Sequence, residues 1–329
     1  MMIIGLVGLA GVVLFGLLYI VFFFKGISLK VPVFGMFVFA LVVAAAVFFA
    51  KLGITLPEFP TAVRKPSQAA KTESPEETEG QSPGTDGFPQ VLLDKRGLVI
   101  TATGLNENGA QGPALALSIE NRSETDVTVQ ARDASVNGYM MDTSFSATVA
   151  AGQTAKESIL FLASRMERSG IETVAELEFS FHILDRNRVT FLDSDAITVR
   201  TPAADTYRYR FDDSGEELCN ENGVRIISKG FDGDGSVFGP GLVLFIENTT
   251  DRAVTVQARD VLANGTPVDA IFSEDVLPGK RSVSAVTLLD TSLQDSGVGE
   301  IRDVAFSLHV VDRDQRTTLF DTAPFTIVV

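Results

Sequence analysis

Short segments in which apolar and polar residues alternate recur along the C-terminal two thirds of the chain. Leu115, Leu117 and Ile119 alternate with Ala116 and Ser118, for example. A period of two is the pattern of a β-strand with one face in a core. The first block of such segments predicts seven strands, at residues 98–103, 114–120, 126–132, 144–149, 157–161, 174–184 and 189–201. Because no βαβ rhythm separates them, the pattern predicts an antiparallel β-sandwich.

The same unit occurs twice in the chain. Residues 120–133, ENRSETDVTVQARD, return as residues 247–260, ENTTDRAVTVQARD, with nine of fourteen positions identical. The two copies are 127 positions apart, and the same spacing separates Asn137-Gly138, a hairpin turn signal of type I′, from Asn264-Gly265. A repeat with this spacing is long enough to be a whole domain. The sequence therefore predicts two tandem antiparallel immunoglobulin-like β-sandwiches, at residues 91–201 and 218–329.

Residues 202–217 connect the two predicted domains. Tyr207, Tyr209 and Phe211 alternate there with Arg208 and Arg210. This alternation predicts an extended segment whose aromatic face packs on a domain edge as an additional strand, rather than an aromatic platform for a ligand.

Two long apolar runs precede the sandwiches, at residues 2–24 and 31–50. Each is long enough to cross a hydrocarbon core as a helix. Residues 1–54 are therefore predicted to form a transmembrane helical hairpin, and the Pro-, Ser- and Glu-rich residues 55–90 a disordered stalk. Lys25 and Lys30 in the short loop favour a cytoplasmic loop and extracellular sandwiches, whereas Lys51, Arg64 and Lys65 favour the reverse. We expect the extracellular placement.

The formal net charge of the chain is −15. A surface this acidic argues against binding nucleic acid and suits a cationic partner. The only cysteine, Cys219, excludes an intramolecular disulfide, and it is interpreted as a small apolar strand residue. A role as nucleophile would need a histidine close to it in the fold.

The two histidines of the chain, His182 and His309, occupy the same repeat position in FSFHILDR and FSLHVVDR. A zinc site needs three or four ligands near one another, and no HxH, HExxH or CxxC motif occurs. Each histidine is therefore predicted to form a hydrogen bond on a half-exposed sheet face, and the sequence predicts no cofactor.

Asp232, Asp234 and Ser236 resemble the opening of a calcium loop. A complete loop also needs a glycine at its sixth position and a bidentate acid at its twelfth, and Val237-Phe238-Gly239 follows instead. An exposed hairpin loop is the favoured interpretation, with a weak calcium contact as the alternative.

Neighbouring Asp and Arg residues recur in both repeats. Arg132-Asp133 matches Arg259-Asp260, and Asp185-Arg186 matches Asp312-Arg313. Because each pair occurs twice, a turn or an ion pair between strands explains it better than a catalytic dyad. No GxSxG, P-loop or dinucleotide motif is present, although a glycosidase-type pair among 42 acids stays open.

The repeated pattern of GPxLxLxIEN, VTVQARD, an Asn-Gly turn and FSxHxxDR resembles membrane-anchored proteins of Gram-positive gut bacteria. In these proteins, immunoglobulin-like sandwiches follow an N-terminal transmembrane segment, in some cases with a zinc ribbon ahead of it. The resemblance covers residues 91–329 and implies no activity and no site residues. This chain departs from it by its two apolar runs and by lacking the zinc ribbon.

These observations favour a non-enzymatic, membrane-inserted surface module that binds a protein or cell-envelope partner through loops or a sheet edge. An accessory or sensor subunit of a membrane complex is the alternative, motivated by the glycines of the first apolar run. A hydrolase or a calcium-dependent adhesin is a weaker alternative.

Overall fold

The computed structural model describes residues 87–208 and 211–329. The predicted transmembrane hairpin and nearly all of the predicted stalk lie outside the described residues. All described residues belong to one compact unit. In the described part of the chain, no helix has both the length and the apolar character needed to span a membrane.

The first repeat is built from short antiparallel strands and one helical turn, α1 (Ala163–Arg168). The strands are β1 (Gln90–Lys95), β2 (Leu98–Asn106), β3 (Ala114–Asn121), β4 (Val127–Val136), β5 (Tyr139–Met140), β6 (Thr143–Ser144), β7 (Ser146–Val149), β8 (Thr154–Phe161), β9 (Glu176–Asp185), β10 (Thr190–Asp193) and β11 (Ile197–Arg200). The first sheet has the order β1-β2-β3-β8-β6. The second has β10-β9-β4-β5, with β11 on β9 and β7 on β4.

The second repeat uses the same order of elements, with the helical turn α2 (Asp290–Asp295). Its strands are β12 (Glu216–Glu221), β13 (Val224–Ser236), β14 (Gly239–Asn248), β15 (Val254–Ala263), β16 (Thr266–Pro267), β17 (Ala270–Ile271), β18 (Ser273–Val276), β19 (Arg281–Leu288), β20 (Asp303–Asp312), β21 (Thr318–Asp321) and β22 (Phe325–Val328). Its first sheet has the order β12-β13-β14-β19, with β17 on β19. Its second has β16-β15-β20-β21, with β18 on β15 and β22 on β20.

The alternating residues fill the space between the two sheets of each repeat, which confirms the all-β prediction. Leu115, Leu117 and Ile119 on β3 are each at most 1% exposed and share one core with Phe179 and Phe181 on β9. Burial of each such side chain stabilises the fold by roughly 1.5–3 kcal/mol. The predicted type I′ turn is also confirmed, because Asn137 and Gly138 have φ values of 50° and 81°.

One sheet of each repeat is continuous with one sheet of the other, which the sequence did not predict. The second sheet of the first repeat and the first sheet of the second form a single 11-stranded sheet through β5 and β19. These strands run parallel, with Tyr139 opposite Arg281. The Arg281 N–H donates to the Gly138 carbonyl at 2.9 Å.

Two local predictions were wrong. Residues 189–201 form two strands, β10 and β11, because the chain turns between them where the Ser194 hydroxyl accepts a hydrogen bond from the Phe181 N–H at 2.8 Å. The connector does not add a strand, since its described residues hold a 3-10 turn at Pro202–Asp205 and no strand before Glu216.

Candidate functional site

The junction between the repeats buries one face of the second repeat. Ile227, Phe245 and Val283 lie on the outer face of the first sheet of the second repeat, and they are 1%, 0% and 6% exposed. They belong to the same buried cluster as the core of the first repeat. The ring of Tyr139 meets that of Phe245 edge to face at a centroid distance of 6.4 Å. The first repeat therefore buries this face of the second.

A polar cluster around Arg165 lies inside the junction. This side chain, on α1, donates to the Val283 carbonyl at 3.0 Å and to the carboxylate of Glu274 on β18. The Ser282 hydroxyl contacts both Arg165 and Glu274, and Asp142 lies 3.4 Å from the guanidinium. The side chains of Arg165 and Glu274 are only 9% and 12% exposed. Removing either partner would leave the other charge buried and uncompensated, so the cluster ties the first repeat to the second.

Three further ion pairs surround the buried contacts. The guanidinium of Arg313 lies 2.6 Å from the carboxylate of Asp133. Lys280 lies 3.0 Å from Glu178, and Arg168 lies 3.9 Å from Asp232. Burial is the largest single influence on Arg313 and disfavours its charged form, but the hydrogen bonds and charges of Asp133 and Asp314 together outweigh burial and raise the pKa of Arg313. Each pair joins one repeat to the other.

The connector adds an aromatic contact to the junction. The ring of Phe211 stacks on that of Phe245 at 6.2 Å with an interplanar angle of 14°. The Arg281 guanidinium lies 4.1 Å from the centroid of the Phe211 ring. Phe211 therefore packs on a sheet face inside the junction and not on the predicted domain edge, because β14, which carries Phe245, is an inner strand of its sheet.

The calcium candidates lie at the C-terminal end of β13, next to its turn into β14. Asp232 accepts a hydrogen bond from the Gly235 N–H at 2.9 Å and faces Arg168, a cation that disfavours a second cation nearby. The Ser236 hydroxyl contacts the Phe238 N–H and the Gly239 carbonyl within the turn, and Asp234 is exposed. Among the described residues, no three His, Cys, Asp or Glu side chains are grouped closely enough to hold a metal ion.

Each histidine has an aspartate partner on the neighbouring strand. His182 Nδ1 lies 2.5 Å from Asp193, and His309 Nδ1 lies 2.5 Å from Asp321. The hydrogen bond predicted for each histidine is therefore present, but the predicted half-exposed face is wrong for His309, which is buried, while His182 is half-buried. Both pairs join equivalent strands, β9 to β10 and β20 to β21, which indicates a structural role in each repeat.

The Asp–Arg motifs divide between two roles. Asp185 accepts hydrogen bonds from the N–H groups of Asn187 and Val189, and the bond from Val189 contributes most to lowering the pKa of Asp185. Asp312 accepts equivalent bonds in the following turn of the second repeat. Only Asp133 and Arg313 meet across the junction. These contacts are turn hydrogen bonds and ion pairs, and at Arg313 they bring the carboxylates of Asp133 and Asp314 to one guanidinium.

Cys219 lies on β12, half-buried. Burial raises the pKa of its thiol to about 11, and Glu221 and Glu217 add to the effect. A protonated thiol is a poor nucleophile at neutral pH.

An exposed apolar hairpin tip was missed at the level of sequence. Val237 and Phe238, between β13 and β14, are 93% and 62% exposed. The first repeat has Ala110 and Gln111 at the equivalent positions. Alignment of the repeats at this loop would have revealed the substitution of a small and a polar residue by two large apolar ones.

No protein-family model matches the chain, and no curated protein matches it significantly. Similar solved structures include the YadV chaperone, at 11% identity over 71% of this chain and 100% of that chain, with a TM-score of 0.22. They also include the Salmonella enterica SafA pilin in complex with the SafB chaperone, at 14% identity, 66% and 89% coverage and a TM-score of 0.20. A protein of unknown function from Porphyromonas gingivalis W83 has 11% identity, 71% and 100% coverage and a TM-score of 0.22. Similarities at these TM-scores carry no argument about this chain.

Proposed function

We propose that the chain is a membrane-anchored, non-enzymatic surface module whose tandem immunoglobulin-like sandwiches bind a protein or cell-envelope partner outside the cell. The apolar runs at residues 2–24 and 31–50 support the anchor, and the resemblance to membrane-anchored sandwich proteins supports the placement. The Val237-Phe238 tip carries the binding part of the proposal. Two large apolar side chains projecting from one hairpin are a typical anchor for a complementary pocket.

The junction gives this tip a fixed position. The hairpin that carries Val237 and Phe238 begins on β13, which also contributes Ile227 to the buried face. The Arg168 side chain from the first repeat reaches Asp232 at the base of the same hairpin. Because a pre-positioned anchor loses less conformational entropy on binding, the junction strengthens a contact made at the tip.

Cysteine labelling in intact cells tests this proposal. Asp234→Cys places a thiol beside the tip without changing Val237 or Phe238, and Asn108→Cys is the matched site in the first repeat. Both are made with Cys219→Leu, because Leu93 is the buried counterpart of Cys219. We expect a membrane-impermeant maleimide to label Asn108→Cys on intact cells, and Asp234→Cys at least about tenfold more slowly than in the purified chain.

Adding Val237→Ala and Phe238→Gln, the residues of the first repeat, should restore fast labelling at position 234. Equal labelling of both sites on cells would contradict a partner at the tip. Labelling of either site only after lysis would overturn the extracellular placement.

A further inference from the structure

The second repeat contains a pocket that the function proposed above does not use. Its volume is about 360 Å³, and Asn222, Thr250, Asp251, Arg252 and Leu319 line it. It lies beside the turn that precedes β13, whereas the Val237-Phe238 tip follows the opposite end of that strand. The pocket and the tip are therefore separate features.

The first repeat fills the equivalent position with its own side chains. Arg96 and Phe191 correspond to Asn222 and Leu319. The Arg96 guanidinium lies 4.3 Å from the centroid of the Phe191 ring and donates to the Phe191 carbonyl oxygen. The second repeat has shorter or smaller side chains at both positions, which explains why the space is open there.

The backbone around the position is the same in both repeats. Arg96 and Asn222 have φ values of 53° and 50°. Phe191 and Leu319 each occupy a β-bulge, where the strand register shifts. A bulged residue leaves the ladder of strand hydrogen bonds. In the first repeat a guanidinium donates to the carbonyl oxygen of this residue, whereas no side chain of the described residues donates to that of Leu319.

The second repeat has lost two positive charges next to this position. Lys95-Arg96 of the first repeat is replaced by Glu221-Asn222. The Asp251 carboxylate is 89% exposed at the rim. The only cation in the lining, Arg252, lies 3.4 Å from Asp251 and 3.5 Å from Asp312. The lining therefore holds one carboxylate, Asp251, beside one guanidinium, and the exposed Asp251 carboxylate is free to accept further donors from solvent.

We propose that this pocket binds the guanidinium group of an arginine supplied by another molecule, in the place that Arg96 occupies in the first repeat. The planar guanidinium has donors for both the Leu319 carbonyl and the Asp251 carboxylate, and its face packs on the Leu319 side chain. Lysine has a compact ammonium that cannot satisfy both acceptors and the apolar wall together. The pocket therefore distinguishes arginine from lysine.

Methyl NMR of the full chain tests this inference. With leucine methyl groups labelled, the Leu319 signal is assigned by its loss in Leu319→Phe. Four probes are titrated: N-acetyl-arginine amide, N-acetyl-lysine amide, free arginine, and a five-residue peptide with a central arginine. We expect a saturable Leu319 shift with arginine at a Kd in the millimolar range, and about tenfold weaker binding of the lysine probe.

Asn222→Arg supplies the matched variant, because Arg96 shows that arginine fits this turn conformation. We expect it to fill the pocket and remove the response of Leu319 to arginine. Binding of the amide and the peptide would assign the natural ligand to a polypeptide, and binding of free arginine alone would assign it to the amino acid. Three results would overturn the inference: no shift with arginine, an equal response to lysine, or an unchanged response in Asn222→Arg. None of them depends on the Val237-Phe238 tip.

Discussion

The outer faces of the first sheets differ between the two repeats, although their inner faces follow one pattern. Three equivalent positions show the difference: Thr101, Ser118 and Lys156 in the first repeat become Ile227, Phe245 and Val283 in the second. The first set is exposed or half-buried, and the second is buried under the neighbouring repeat. The residues on the inner face of a duplicated sandwich therefore indicate its fold, whereas those on the outer face indicate whether another domain covers it.

The two repeats also differ at the positions where the first repeat contacts the second. Tyr139 and Arg165 of the first repeat reach into the junction, and their counterparts in the second are Thr266 and Ser292. On the receiving side, Glu274 and Ser282 replace Ala147 and Ala155 of the first repeat. The contacting residues occur only in the first repeat and the receiving residues only in the second. The junction is therefore directional, since the two repeats cannot exchange places in it.

The largest loss of stability is expected when Phe245 is replaced by serine, the residue at the equivalent position of the first repeat. Phe245→Ser removes a ring that is 0% exposed and that contacts both Tyr139 and Phe211. We expect the free energy of unfolding to fall by about 4 kcal/mol, because the ring leaves a cavity between the repeats. Denaturant unfolding of the full chain, followed by far-UV circular dichroism, measures this change.

The reverse substitution is the control. Ser118→Phe puts the same ring on the uncovered face, where we expect the free energy of unfolding to change by less than about 0.5 kcal/mol. A similar loss from both substitutions would show that the two faces do not differ as described.

A smaller loss, about 3 kcal/mol, is expected for Arg165→Ser, because Glu274 and the Val283 carbonyl are left buried without their donor. Adding Glu274→Ala and Ser282→Ala supplies the residues of the first repeat. This triple variant should recover at least about 2 kcal/mol, because it removes the uncompensated carboxylate. The same denaturation measurement tests both variants, and a triple variant no more stable than Arg165→Ser would refute the role of the cluster.

The smallest effect concerns two aspartates with identical backbone conformation. Asp133 and Asp260 both have a φ of 54°, but only Asp133 forms an ion pair among the described residues. Asp133→Asn should lower the free energy of unfolding by about 1 kcal/mol, less at high salt, and Asp260→Asn should change it by less than about 0.3 kcal/mol. Both aspartates lie where the strand register shifts, in a β-bulge of β4 and of β15, and equal losses would place the effect in this bulge and not in the ion pair with Arg313.

Much of the fold could be predicted from the sequence because strand alternation is a local signal. Leu115, Leu117 and Ile119 face the core as their spacing predicts, and Asn137-Gly138 forms the expected turn. The very short strands β5 and β6 escaped prediction because two residues carry no periodicity.

The junction could not be predicted by the same means. Asp133 and Arg313 are separated by 180 positions, and nothing local links them. The aspartate partners of His182 and His309 depend on the bulges in β10 and β21, which shift the strand register. Comparison of the outward-facing strand positions of the two repeats would have identified Phe245 and Val283 as contact residues. An apolar residue replaces a polar one there only in the second repeat, whose outer face the first repeat covers.

The direction of the junction also limits how copies of this chain can assemble. Contacts made head to tail extend into fibres when each end of a unit complements the other. Here the first repeat presents Lys156 and Ser118 where an incoming unit would need an apolar face, and the second presents Thr266 and Ser292 where it would need an aromatic ring and a guanidinium. Growth by this contact therefore stops at two repeats, so copies of the chain do not add to one another end to end through it.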